Sequence, residues 1–187
     1  MHKMKTFNKI KINIDIFVSN PFCMKNVLGE LLNKIALITE QLKPDEYSEA
    51  LPILMQNSIG KHIRHILDLV ECLCNSSGTG EINYDARKRD NKVEASPEYT
   101  LAKINFLLYE IEKLDVDSRV LLKQKIANEE IEIESQINRE ILYNIEHCVH
   151  HLAIIRIGIE QNFPHINFPK NFGIAYSTVH HREKGEA

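Results

Sequence analysis

Residues 135–161 read SQINREILYNIEHCVHHLAIIRIGIEQ, and the rest of the chain has to be arranged around them. Ile137, Ile141, Leu142, Ile145, Val149, Leu152, Ile155 and Ile159 recur three and four residues apart, the period of an α-helix with one wide apolar face. The spacing predicts a helix capped by Ser135 and running to about Gln161, before Phe163-Pro164. A face that wide has to be buried against other elements. The same helix carries His147, His150 and His151. His147 and His151 stand four residues apart, so their imidazoles project from one face a turn apart and can reach a common cation.

Three further amphipathic helices are legible on the N-terminal side. Asn20-Pro21 supplies a cap and a first-turn proline, and Val27, Leu28, Leu31, Leu32, Ile35, Ile38 and Leu42 continue a stripe, which predicts a first helix from Pro21 to Leu42. After Leu51-Pro52 the pattern resumes through Ile59, Ile63, Ile66, Leu67, Val70 and Leu73, a second helix expected to end near Asn75. Ser96-Pro97-Glu98 opens a third, with Leu101, Ile104, Leu107, Leu108, Ile111 and Leu114 on its face. Between the second and third, SSGTG (76–80) reads as a linker and INYDARKRDNKVEA as a polar surface segment. From Arg119 to Glu134, Ile131 and Ile133 alternate with glutamates, the pattern of a β-hairpin. Ile10 to Val18 alternates likewise and reads as a strand. The expected architecture is all-α, a four-helix bundle with a small β-hairpin before the last helix. It forms one domain over 1–187, with an N-terminal lead-in (1–19) and an extended C-terminal tail (163–187).

Bulk properties narrow the function. Lys+Arg 23 against Asp+Glu 26 leaves a net charge of −3, with no basic run to follow a nucleic-acid backbone, so DNA and RNA are excluded as expected partners. No stretch approaches the ~18 apolar residues of a membrane span, and MHKMKTFNKIKINIDIFVSN lacks a signal-peptide core. Cys23, Cys72, Cys74 and Cys148 form no CxxC pair and no dense disulfide pattern, which predicts free thiols in a reducing, cytoplasmic setting. A homodimer through an exposed apolar face is a further expectation.

The histidines are the chemical signal. A third ligand for an ion at His147 and His151 has to come from another helix, and the second helix offers His65 beside its apolar stripe, with His62 as the competitor. Three neutral imidazoles on one side of a cation leave positions open to water or substrate, and imidazole suits Zn2+, Ni2+ or Fe2+. Tyr143 and Asn144 lie one turn before His147, and Asp68 lies one turn after His65, where it could orient a ligand ring or be an ordinary solvated carboxylate. His150 points about a third of a turn away from its neighbours, while His165, His180 and His181 fall in the tail and are set aside. Tyr84, Arg87, Arg89 and Asp90 in the insert would suit a substrate carboxylate or phosphate if that loop lies near the metal, and a wet surface if it does not.

SIGKHIRHILD (58–68), EHCVHHLAIIRIG (146–158) and FPKNFGIAYSTVHHR (168–182) together resemble the DinB/YfiT-like superfamily, over most of the chain from about Asn20 to Arg182. The resemblance implies an up-down-down-up four-helix bundle whose metal is held by one histidine of the second helix and an HxxxH pair of the last, here His65, His147 and His151. It implies a metal-dependent thiol S-transferase or hydrolase acting on a small molecule, with a low-molecular-weight thiol as a candidate cosubstrate. The insert INYDARKRD and the hairpin depart from the simplest pattern of that family. The reading from another class is a non-catalytic, stress-related binding or interaction protein that keeps the metal.

Overall fold

Apolar stripes at helical spacing need partners, and in this chain they find one another. The computed structural model describes residues 23–185. Its long helices are α1 (Met24–Thr39), α3 (Ile59–Thr79), α5 (Pro97–Glu112) and α6 (Ile137–Asn162); α2 (Pro44–Ser48), α4 (Asn91–Ala95) and α7 (Tyr176–Glu183) are short. The chain is therefore mostly helical. α1 packs on α5 and α6, and α3 packs on the same two. Ile137, Ile141, Ile145, Cys148, Leu152, Ile155 and Ile159 of α6 are all buried, against Leu28, Leu32 and Ile35 of α1 and Ile63, Leu67 and Val70 of α3 in one core.

The expected hairpin is present as β2 (Arg119–Ile126) and β3 (Glu129–Gln136), antiparallel, with Leu122 opposite Ile133. It belongs to a larger, mixed sheet, because β1 (Glu81–Ile82) pairs parallel to β2 on its other edge. That third strand escapes sequence reading because two residues carry no period.

Several expectations change, among them the end of the first helix, at Thr39 rather than Leu42. The linker SSGTG is the last turn of α3: Gly80, at φ 70°, adopts the left-handed conformation that ends a helix and donates its N–H to Ser76 O. The insert is not featureless, since it contains β1 and α4. Ser135 does not cap α6. Gln136 holds that position without a side-chain cap, and the first free N–H groups of the helix, Ile137 and Asn138, donate to Ser118 O and Val116 O. The tail is not extended throughout, because Tyr176–Glu183 forms α7. The strand expected over Ile10 to Val18 and the cap expected at Asn20-Pro21 lie outside the described residues.

Two of the caps at the starts of the long helices are made by serines: Ser96 accepts from Tyr99 N ahead of Pro97, and Ser58 accepts from Lys61 N to start α3. Among the described residues, no helix is long and apolar enough to cross a membrane. All four cysteines are free.

Candidate metal centre

Beside its apolar stripe, α6 carries a second line of residues: Glu140, Asn144, His147 and His151, spaced four, three and four apart. On α3 the flank next to the buried stripe carries His62, His65 and Asp68. Because α3 packs on α6, the two polar flanks meet, and their histidines come together.

His65, His147 and His151 each present a ligand nitrogen, and these nitrogens lie within 4.8 Å of one another. His65 Nε2 and His147 Nε2 are 2.9 Å apart. With metal–nitrogen bonds of ~2.0–2.1 Å, two nitrogens on one ion are about 2.9 Å apart at right angles and about 3.4 Å apart in tetrahedral geometry, so this pair needs at most about half an ångström of movement to share one. The rings of His65 and His151 have centroids 4.7 Å apart, and those of His147 and His151 4.6 Å. Burial holds the rings uncharged at neutral pH: desolvation first, then the neighbouring imidazoles, push His65 down to about 4 and His151 to about 3. His62 and His147 are lowered too, again chiefly by desolvation. Uncharged imidazole is the form that ligates metal.

His62 stands next to the three. Its Nδ1 is 3.1 Å from His151 Nδ1, where either ring can donate, and its Nε2 is buried without a partner. That contact occupies one nitrogen of His151 and leaves Nε2 for an ion, so His62 sits where an orienting residue would. His150 is exposed, and its ring lies 5.5 Å from that of His151 and 6.5 Å from that of His147.

The surroundings revise several expected roles. Asp68 is neither solvated nor bonded to an imidazole. It is 2% exposed, accepts from Asp90 N and lies 3.9 Å from Arg64 Nε. Its pKa is raised, because desolvation outweighs the Asp90 N–H and the two arginines near it. Tyr84 faces inward rather than toward a substrate: its hydroxyl donates to Glu140 Oε2 and accepts from Asn144 Nδ2. Tyr143 lies against His147, with ring centroids 5.8 Å apart and planes 30° from parallel. Arg87 does reach the site, as Nη2 donates to His65 Nδ1 at 3.2 Å and Nη1 to Tyr84 O. Arg89 is exposed, and Asp90 caps α4.

Glu140 is the residue sequence reading missed. It is fully buried and accepts from Tyr84, from Ser135 Oγ at 2.6 Å and from Arg139 Nη1 at 2.9 Å. This carboxylate ties the insert and the end of the hairpin to α6, two helical turns before His147. A signal existed in the sequence, since Glu140 continues the line of Asn144, His147 and His151.

No family model matches the chain, and no solved structure matches it. Among curated proteins it is similar to FK506-binding protein 5 of Rhizopus delemar, 30% identical over 110 residues. That likeness takes in 55% of this chain and 28% of the relative.

Proposed function

We propose that this chain is a DinB-like four-helix-bundle enzyme that uses one divalent ion, Zn2+, Ni2+ or Fe2+, to act on a small molecule as a thiol S-transferase or hydrolase. One observation carries the reading: uncharged imidazoles from α3 and α6 present their nitrogens to a common point. The motifs SIGKHIRHILD and EHCVHHLAIIRIG, which resemble that superfamily, supply those histidines. The all-nitrogen donor set fits a borderline metal better than Mg2+ or Ca2+, which take oxygen ligands.

A divalent ion there would supply Lewis acidity toward the sulfur of a thiol or the oxygen of a water. The chain's own residues do the positioning. His65, His147 and His151 hold the ion, His62 orients His151, and Tyr143 covers one face of His147. Glu140 fixes the segment from Tyr84 to Arg87 against α6. The partial likeness to an FK506-binding protein covers too little of that protein to bring its ligand to this chain.

The test is turnover. Metal-loaded protein mixed with a low-molecular-weight thiol and an electrophilic small molecule, or with an ester, is expected to consume substrate, to stop on chelation and to recover when the ion is returned. Bound metal without turnover across such substrates would favour the non-catalytic binding protein.

A further inference from the structure

Arg87 makes no ion pair among the described residues, and the Asp68 carboxylate acts on it only from farther off. Among the described residues no carboxylate oxygen lies within 4.0 Å of it, and its Nε is buried without a hydrogen-bond partner. The nearby carboxyl of Asp68 is engaged by Asp90 N and Arg64. The guanidinium instead meets neutral groups, the Tyr84 carbonyl and His65 Nδ1. A half-buried charge in that state is stabilised by an anion that approaches from outside.

The contact with His65 decides when the anion can come. Guanidinium has donors and no acceptor, so His65 Nδ1 must offer a lone pair, and the single proton of the neutral ring then sits on Nε2, facing His147 Nε2. An ion cannot share that arrangement. Bound at Nε2, it moves the ring proton to Nδ1, which then has nothing to offer Arg87; bound at Nδ1, it takes the lone pair itself. By either route Arg87 Nη2 is released. Nη2, once free, is a charge-assisted donor for a carboxylate, and the buried Nε on the same edge of the guanidinium becomes the second, parallel donor when the side chain turns that edge outward.

Building on the metal reading above, we infer that metal loading frees Arg87 from His65 and turns it into a carboxylate clamp, so that the substrate is an acidic small molecule held by the ion at one end and by Arg87 at the other. Without metal, Arg87 holds His65 in the tautomer that opposes loading. Arg87 is thus a specificity-determining residue and a brake on the metal site.

Zn2+ affinity, measured by competition with a chromophoric chelator in carboxylate-free buffer, gives opposite signs for a brake and a support. Arg87→Met removes the donor and Arg87→Gln offers His65 Nδ1–H a carbonyl, so both are expected to bind Zn2+ on the order of tenfold tighter than wild type, the scale of one lost charged hydrogen bond. The Zn2+-loaded wild type is expected to prefer mercaptoacetate to 2-mercaptoethanol, and both variants to lose that preference. Long-range 1H–15N spectra of the metal-free wild type should show His65 protonated at Nε2. Weaker or unchanged Zn2+ binding in variants with wild-type thermal unfolding, a preference that survives, or a His65 protonated at Nδ1 would overturn the inference while leaving the metal site standing. Failure of the wild type to bind Zn2+ in a His65-dependent way would remove the metal reading, and this inference with it.

Discussion

Glu140 shows how much one side chain can organise around a site it does not enter. A buried carboxylate is tolerated only when its oxygens are occupied, and here a tyrosine, a serine and an arginine occupy them. Glu140→Leu leaves buried Tyr84 without its acceptor and Asn144 beside it, and is expected to cost ~2–4 kcal/mol in denaturant unfolding. Tyr84→Phe, which removes one donor and keeps the ring, should cost ~1 kcal/mol. A smaller loss for Glu140→Leu than for Tyr84→Phe would mean the carboxylate is not the hub. The histidines themselves were legible because two clusters fell at helical spacing. Glu140 was legible only as the next member of the line Asn144, His147 and His151, and the inward turn of Tyr84 not at all, because a glutamate on a helix and a tyrosine in a polar insert are surface residues far more often than buried partners.

Among the helices and strands, what sequence reading gets right are those whose period is strong: the α6 stripe, the Ser96-Pro97 cap and the alternation of isoleucine and glutamate in the hairpin. It fails where an element is short or held from outside. β1 exists because Gly80 O and the two residues after it meet β2, and α7 buries no side chain, so it offers no stripe to read. The end of α3 is the instructive case, because two glycines two residues apart do opposite things. Gly78 is helical, and a methyl group added to it would meet open space, while Gly80 has the same open space but a φ of 70°. Gly78→Ala is therefore expected to stabilise the protein by up to ~1 kcal/mol through helix propensity, and Gly80→Ala to destabilise it by about the same amount through backbone strain. Thermal unfolding of the two variants checks both signs; equal shifts would mean the helix does not end at Gly80.

Across the whole molecule, the packing of α3 on α6 gathers histidines from distant parts of the chain, His65 and His147 being separated by 82 positions. Clustering these rings away from water makes the metal-free protein sensitive to acid. The folded pKa values of His65 and His151 lie at about 4 and about 3, below the ordinary 6.5. The unfolded chain therefore binds protons first as pH falls, and stability drops from about pH 6.5 downward, until the folded rings protonate too. The charged groups that act on the rings, Lys61, Arg64 and Arg87, push the same way as burial. Unfolding of the metal-free protein should lose stability already between about pH 6.5 and 5, above the range in which unfolded carboxylates titrate. A flat profile there would mean the rings are solvated.

Both the proposed chemistry and the role given to Arg87 require His65, His147 and His151 to hold a single ion together, and metal content reports on that without any assumption about substrate. Protein purified without a nickel column, loaded with Zn2+ and gel-filtered, should retain one ion per chain by elemental mass spectrometry. His65→Ala, His147→Ala and His151→Ala should each lose it, and His62→Ala should keep it with weakened affinity. A wild type that retains no ion, or three single variants that retain as much as the wild type, would contradict the shared site.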